Sequence, residues 1–334
     1  MLTPKTRDAS AKESLIPIVY SSEYKFGFDD TFSALNILDD NYPLDLSKFS
    51  KIAEQLSRKF RFPHSKLQKL NDEDLALFHS CEYVTSIRLN KSVINGIIGI
   101  EIPQAITASV VNRYLIDPIR YAASGTVEAA RLALKHGWAI NIGGGYHHAK
   151  KEAGGGFCFF NDYAIATIKL RGRQPKLKIL YIDLDAHIGD GVLLFAKEIK
   201  DFYIFDVYNT FTNLAEHKRV FKESDDGRFL LIGLESYTGD ELYLSLLKEY
   251  LPDVINRVKP DFIFYNGGGD ILKGDKLGCL SVSPDGMTQR DLFVFGEAKK
   301  RSIPIAMCLS GGYGNENYKS VANSLEAVVC LMMG

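Results

Sequence analysis

Asp183-Leu184-Asp185-Ala186-His187 follows a hydrophobic run that ends at Ile182. In extended chain, residues two apart point the same way, so Asp185 and His187 can reach one ion. Asp270 follows Gly267-Gly268-Gly269 at the end of another apolar run and offers a third ligand. Two carboxylates and one imidazole fill three positions around zinc and leave room for water and a carbonyl oxygen. An isolated Asp-x-His usually amounts to loop capping and a hydrogen-bonded histidine. Here Asp183 and Asp190 crowd the same edge. So many acids beside an apolar strand need a cation or imidazole partners to offset their desolvation.

A metal-activated water needs a base, and a leaving amine needs an acid. His147 and His148 follow the triple glycine Gly143-Gly144-Gly145 and Tyr146 at a third strand end. They suit those tasks, with Asp183 and Asp190 to orient their far nitrogens. From the residues alone, catalysis and metal ligation stay equally open for this pair. Tyr313, in Ser310-Gly311-Gly312-Tyr313, is one of 17 tyrosines and stands out by its place after an apolar strand. A phenol there can donate to the oxyanion formed when water attacks an amide. Phe157 follows Gly154-Gly155-Gly156 and serves equally well as the wall of a narrow apolar channel or as core. The chain has no GxGxxG before a helix, no phosphate-loop motif and no GxSxG. Nucleotide binding and serine hydrolase chemistry are therefore disfavoured.

The elements that position these residues read as alternating strands and helices. Strands are predicted at Ile16–Tyr20, Ala139–Ile142, Lys178–Ile182, Phe202–Val207, Phe229–Leu234, Asp261–Tyr265 and Ile303–Leu309, most of them continuously apolar, as in sheets covered on both faces. Helices are predicted at Ser124–His136, stopped by Gly137, and at Thr288–Lys300. The repetition implies a single-domain α/β fold, a doubly wound, mostly parallel sheet flanked by helices. Ligands of such sheets bind beyond the carboxyl ends of the strands, where the unusual residues fall. The part before about Tyr121 is expected to wrap the sheet.

With 334 residues, 46% of them hydrophobic, the chain can bury a large core. Its net charge of −1 gives no reason to expect nucleic acid or an anionic membrane as partner. No apolar run approaches the roughly 20 residues of a membrane span. Met1–Ser14 is polar and lacks a signal-peptide core, so a mobile tail is expected, with the domain running from 15 to 334. Five scattered cysteines without a CxxC pair suit a reducing, cytoplasmic setting.

The segments GGGYHHA, GGGFCFFND, YIDLDAHIGDG, YNGGGDILKGDKLG and LSGGY occur in an order that resembles the zinc-dependent histone deacetylase superfamily, from about Pro17 to the C-terminus. DVYN, GDKLGCLSVS and Trp138-Ala139-Ile140-Asn141 resemble its class IV branch, typified by histone deacetylase 11. The resemblance implies the arginase–deacetylase fold and hydrolysis of an acylated lysine of a protein or peptide, with long fatty acyl groups as candidates beside acetyl. It implies that Asp185, His187 and Asp270 bind zinc. His148 would be the main general base and acid, with His147 an electrostatic partner. Asp183 would pair with His147 and Asp190 with His148, and Tyr313 would polarise the scissile carbonyl. Phe157 and Leu277 would line the acyl-lysine tunnel, and the Gly156 carbonyl would touch the substrate chain. A potassium ion near the zinc, held by Asp183, Asp185 and His187 among others, is implied too. Ile188, Gly267-Gly268-Gly269 and Tyr42-Pro43-Leu44 depart from the usual pattern without removing a ligand or an acid–base group. Rival readings are an arginase-like enzyme with two manganese ions, a hydrolase of acetylated polyamines or another small acylated amine, and a non-catalytic acyl-lysine binder.

Overall fold

The apolar runs pair into one eight-stranded sheet in a computed structural model that describes residues 16–25, 47–62, 65–211, 219–314 and 316–334. The expected tail Met1–Ser14 and the Tyr42-Pro43-Leu44 departure lie outside these residues. The strands are β1 (Ile18–Val19), β2 (Trp138–Asn141), β3 (Ile179–Asp183), β4 (Phe202–Asn209), β5 (Arg219–Glu223), β6 (Phe229–Leu234), β7 (Phe262–Asn266) and β8 (Ile305–Cys308). Their spatial order is β1-β2-β8-β7-β3-β4-β6-β5. All pairings are parallel except that of β5 with β6. β5 is an edge strand that the sequence reading did not place. Conversely, of the predicted Ile16–Tyr20 strand only Ile18–Val19 pairs.

β2, β3, β6, β7 and β8 are buried along their whole length, which explains their lack of polar alternation. Each large apolar side chain removed from water there contributes on the order of 1.5–3 kcal/mol. The longer helices are α1 (Lys48–Ser57), α2 (Cys81–Leu89), α3 (Lys91–Ile98), α4 (Asp117–His136), α5 (Asp162–Arg171), α6 (Asp190–Glu198), α7 (Asp240–Val258), α8 (Pro284–Lys300) and α9 (Asn317–Met333). α4 begins with Pro118 in its first turn and stops at Gly137, whose φ of 86° is the left-handed cap expected there. It is longer than the predicted Ser124–His136. α8 likewise starts earlier than predicted, at Pro284, where the Ser283 side chain accepts the Gly286 N–H. No helix among the described residues is long and apolar enough to cross a membrane.

β2, β8, β7 and β3 are consecutive in the sheet. The loops leaving their carboxyl ends carry, in that order, the twin histidines, Tyr313, Asp270, and Asp185 with His187. Four sequence segments far apart in the chain are thereby delivered to one stretch of the sheet rim.

Candidate active site

β3 and β7 are paired with Asp183 opposite Asn266, so the chains leaving them start side by side. One ligand atom from each of Asp185, His187 and Asp270 lies within 4.8 Å of the others. His187 Nδ1 is 3.2 Å from Asp185 Oδ1 and 2.9 Å from Asp270 Oδ2. Both carboxylates are buried, and their outer lone pairs are taken. Asp185 Oδ2 accepts from Ser310 Oγ at 2.6 Å and Gly311 N–H at 2.9 Å, and Asp270 Oδ1 accepts from Ala186 N–H at 3.0 Å. Glycine is required for this closeness: a Cβ at Gly311 would fall 2.3 Å from Asp270 Oδ2, and one at Gly268 2.5 Å from Asp185 Oδ2.

The charges of the group favour a cation. Burial and the adjacent Asp185 push the Asp270 carboxyl up to about 7, with His187 opposing the rise. Burial works to lower His187, but its hydrogen bonds to the Asp185 and Asp270 carboxylates outweigh that and hold the imidazole up to about 11. Two desolvated carboxylates this close favour a positive charge between them. A two-carboxylate, one-imidazole donor set of this spacing fits zinc.

The twin histidines sit alongside, their ring centroids 4.1 Å apart. His147 Nδ1 meets Asp183 Oδ2 at 2.8 Å, and His148 Nδ1 meets Asp190 Oδ1 at 2.8 Å. The two differ in surroundings. His147 is buried, which lowers its pKa, but Asp183 and Asp185 outweigh burial and push it up to about 9. His148 is lowered by burial and by the neighbouring His147, against the pull of Asp190. Asp190 also meets Lys150 Nζ at 2.8 Å. These bonds outweigh burial and hold its carboxyl at about 2. The loop carrying both histidines is fastened from below: Asp162 accepts the Gly145 and Tyr146 N–H groups, each at 2.9 Å, and the Thr126 hydroxyl at 2.5 Å.

Tyr313 stands edge-on to His187, with ring centroids 6.3 Å apart, and 5.8 Å from the Phe157 ring. Burial, then Asp185 and Asp270, push its phenol well above the usual range, so the hydroxyl remains a donor. Gly156 lies against the His148 ring, where a Cβ would come within 2.5 Å of Cδ2, and its carbonyl accepts the Cys158 thiol at 3.4 Å. Leu277 joins the group through its backbone, donating its N–H to Asp275 Oδ1 at 3.0 Å.

Several neighbours were not picked out from the sequence. Asn266 donates to Asp183 Oδ1 at 2.8 Å, and Ser310 donates to Asp185. Both are polar residues closing an apolar run, the signal that singled out Asp183. Phe211 stacks on His187 at 5.2 Å and is half exposed. Nothing in its loop distinguishes it among 20 phenylalanines. Asp206 lies opposite Asp183 in the β3–β4 register, buried, and its Oδ1 has no hydrogen-bond partner.

Comparison with known proteins places the chain in a family. A family model described as the histone deacetylase domain matches residues 42–330. Histone deacetylase 2 of Arabidopsis thaliana is 35% identical over 318 residues, covering 94% of this chain and 78% of that protein. An uncharacterized protein of Picosynechococcus sp. is 35% identical over 239 residues, covering 72% of this chain and 75% of that one. Among solved structures, the HDA15 HD domain has a TM-score of 0.73 and 18% identity over 96% of this chain and 90% of its own, a likeness of fold.

Proposed function

The chain belongs to the histone deacetylase domain family and has the arginase–deacetylase fold, and from that premise we propose that it is a zinc-dependent deacylase that hydrolyses the amide of an acylated lysine. The observation that carries the proposal is the convergence of Asp185, His187 and Asp270 beside two carboxylate-held histidines. When bound, zinc supplies Lewis-acid polarisation of the acyl carbonyl and a water of lowered pKa. The remaining work falls to the side chains. Asp190 fixes a proton on His148 Nδ1, which leaves Nε2 to take the proton of the attacking water and return it to the departing lysine amine. His147, held by Asp183, keeps positive charge beside the developing oxyanion. Tyr313 donates its hydroxyl to that oxyanion. Phe157 and Leu277, with Phe211 as a second aromatic wall, line the path of the acyl-lysine chain, and the Gly156 carbonyl accepts from it.

The same reading extends to a potassium ion held through Asp183, Asp185 and His187. The buried, unpartnered Asp206 Oδ1 beside Asp183 supports it, because two adjacent buried carboxylates call for a cation. DVYN at 206–209, GDKLGCLSVS at 274–283 and the Trp138-Ala139-Ile140-Asn141 strand support a place in the class IV branch and, with it, long acyl groups as substrates. The catalytic unit is proposed to span 15–334. Among the described residues, one group of side chains could hold a metal, and Asp190 is engaged by His148 and Lys150. Both facts favour a single zinc over a pair of bridged manganese ions.

The test is metal analysis of the purified protein together with turnover of acetyl-, butyryl- and myristoyl-lysine peptides, with and without a chelator. One zinc per chain and chelator-sensitive turnover are expected. Two manganese ions, or turnover indifferent to chelation, would overturn the proposal.

A further inference from the structure

Asp275 is buried, and its carboxylate receives hydrogen bonds on both oxygens. Oδ1 accepts from the Leu277 and Gly278 N–H groups, each at 3.0 Å. Oδ2 accepts from the Tyr313 N–H at 2.7 Å and from Asn317 Nδ2 at 2.5 Å. Leu277 and Gly278 lie in the loop that follows β7, Tyr313 lies in the loop that follows β8, and Asn317 opens α9. One side chain therefore joins the loop of the tunnel residue to the loop of the oxyanion donor, and anchors both to a helix.

We propose that Asp275 is a positioning residue that holds Tyr313 in its working place, acting through the Tyr313 backbone and not on the substrate. The inference rests on the reading of Tyr313 as oxyanion donor. Tyr313 follows Gly311 and Gly312, and Gly312 has a φ of 121°, so the backbone in front of it is free to turn unless it is held. Beyond the Gly311 N–H that Asp185 accepts, two attachments remove that freedom. Lys48 Nζ donates to the Ser310 carbonyl at 2.5 Å and the Gly311 carbonyl at 3.0 Å, and Asp275 takes the Tyr313 N–H. A donor that stabilises charge in the transition state is effective when it needs no reorganisation, and misplacement by about 1 Å can cost on the order of 10²-fold in rate.

The clamp needs a carboxylate, because both oxygens must accept. An amide at this position would set an NH₂ against the donors of one arm. The Oδ1 arm is made of two backbone N–H groups that cannot turn. On the Oδ2 arm, the Asn317 amide can flip and offer its oxygen to that NH₂. The NH₂ therefore settles on the Oδ2 arm and the tunnel loop stays fastened, while the Tyr313 N–H loses its acceptor and the flipped Asn317 gives up its long 3.4 Å bond to the Gly269 carbonyl.

The experiment is steady-state kinetics of zinc-loaded Asp275→Asn, Tyr313→Phe and the double variant on an acyl-lysine peptide, with the zinc content and unfolding temperature of each. Asp275→Asn is expected to lower kcat by roughly 10-fold or more with KM nearly unchanged. In the Tyr313→Phe background, the same change should add almost nothing, since residues acting as one unit are not additive. Asn317→Asp, which sets a second carboxylate against Oδ2, should give the same pattern and serves if Asp275→Asn does not fold. If Tyr313→Phe is slow but either clamp variant adds its full loss to it, or raises KM alone, the inference fails while the reading of Tyr313 stands. If Tyr313→Phe turns over normally, that reading falls and takes the inference with it.

Discussion

The two neighbouring histidines are chemically alike and electrostatically different. His147 is buried between Asp183 and Asp185, whereas His148 faces an acid shared with Lys150. That difference separates the consequences of losing each acid. Asp183 also takes the Tyr181 hydroxyl at 2.7 Å, Asn266 Nδ2 and the Asp185 N–H, so its replacement disturbs the core as well as the site. Asp190 lies at the rim and mainly fixes the tautomer of His148. Asp190→Asn should therefore fold, retain zinc and lose on the order of 10²-fold or more in kcat, as when an orienting acid is removed from a catalytic histidine. A variant that loses its zinc instead would refute the division of labour. At this scale the residues that converge at the rim were legible because they are chemically unusual residues at the ends of apolar runs. Asp206 and Asp275 were not, because their importance lies in which backbone or carboxylate they meet across the sheet.

At the scale of elements, most strands could be read because a strand buried on both faces leaves an unbroken apolar run. β5 could not be: it is a five-residue edge strand with Lys222 and Glu223 exposed, carrying charge where a central strand would be apolar. The segment before α2 hides a second feature. His79 is buried, and its Nε2 accepts the N–H of Asn161, the residue whose side chain caps α5. That bond requires a neutral imidazole. Burial lowers the His79 pKa from 6.5 to about 4, against opposition from the Lys151 and Lys150 backbone. A histidine held neutral in the fold takes up its proton more readily when unfolded. Its contribution is therefore complete above about pH 6.5 and is lost as pH falls toward 4, by roughly 3 kcal/mol in all. Denaturant unfolding from pH 7.5 to 4 should show that decline, and His79→Gln should flatten it by about that amount. An equal pH slope in the variant would show that other groups govern acid stability.

At the scale of the whole molecule, the site depends on β3 and β7 lying next to each other, and one buried arginine ties their ends together. Arg290 of α8 donates through Nη1 to the Leu184 carbonyl at 3.0 Å and the Gly268 carbonyl at 2.7 Å. Leu184 immediately precedes Asp185, and Gly268 is two residues before Asp270. Nε donates to Asp291 Oδ1 at 2.8 Å, and Asp291 is held in turn by the Tyr265 and Ser324 hydroxyls. Burial opposes the guanidinium charge and Asp291 outweighs it. Nothing in the chain marks Arg290 out beforehand, since an arginine in an amphipathic helix reads as a solvated side chain. Removing the charge by Arg290→Met leaves a buried carboxylate without its cation, at a cost of about 3–5 kcal/mol, takes the arginine from the Gly268 carbonyl and leaves the Leu184 carbonyl only the long 3.5 Å bond from the Tyr243 hydroxyl. Residues that orient metal ligands from behind typically govern affinity by about 10–100-fold. Arg290→Met should therefore bind zinc 10–100-fold more weakly by chelator competition, roughly, and unfold at lower denaturant. Arg290→Lys should recover the charge but not the fork, and so restore stability more than metal affinity. If the Met variant were destabilised yet held zinc as tightly as the parent, Arg290 would be a strut of the core with no hand in the metal site.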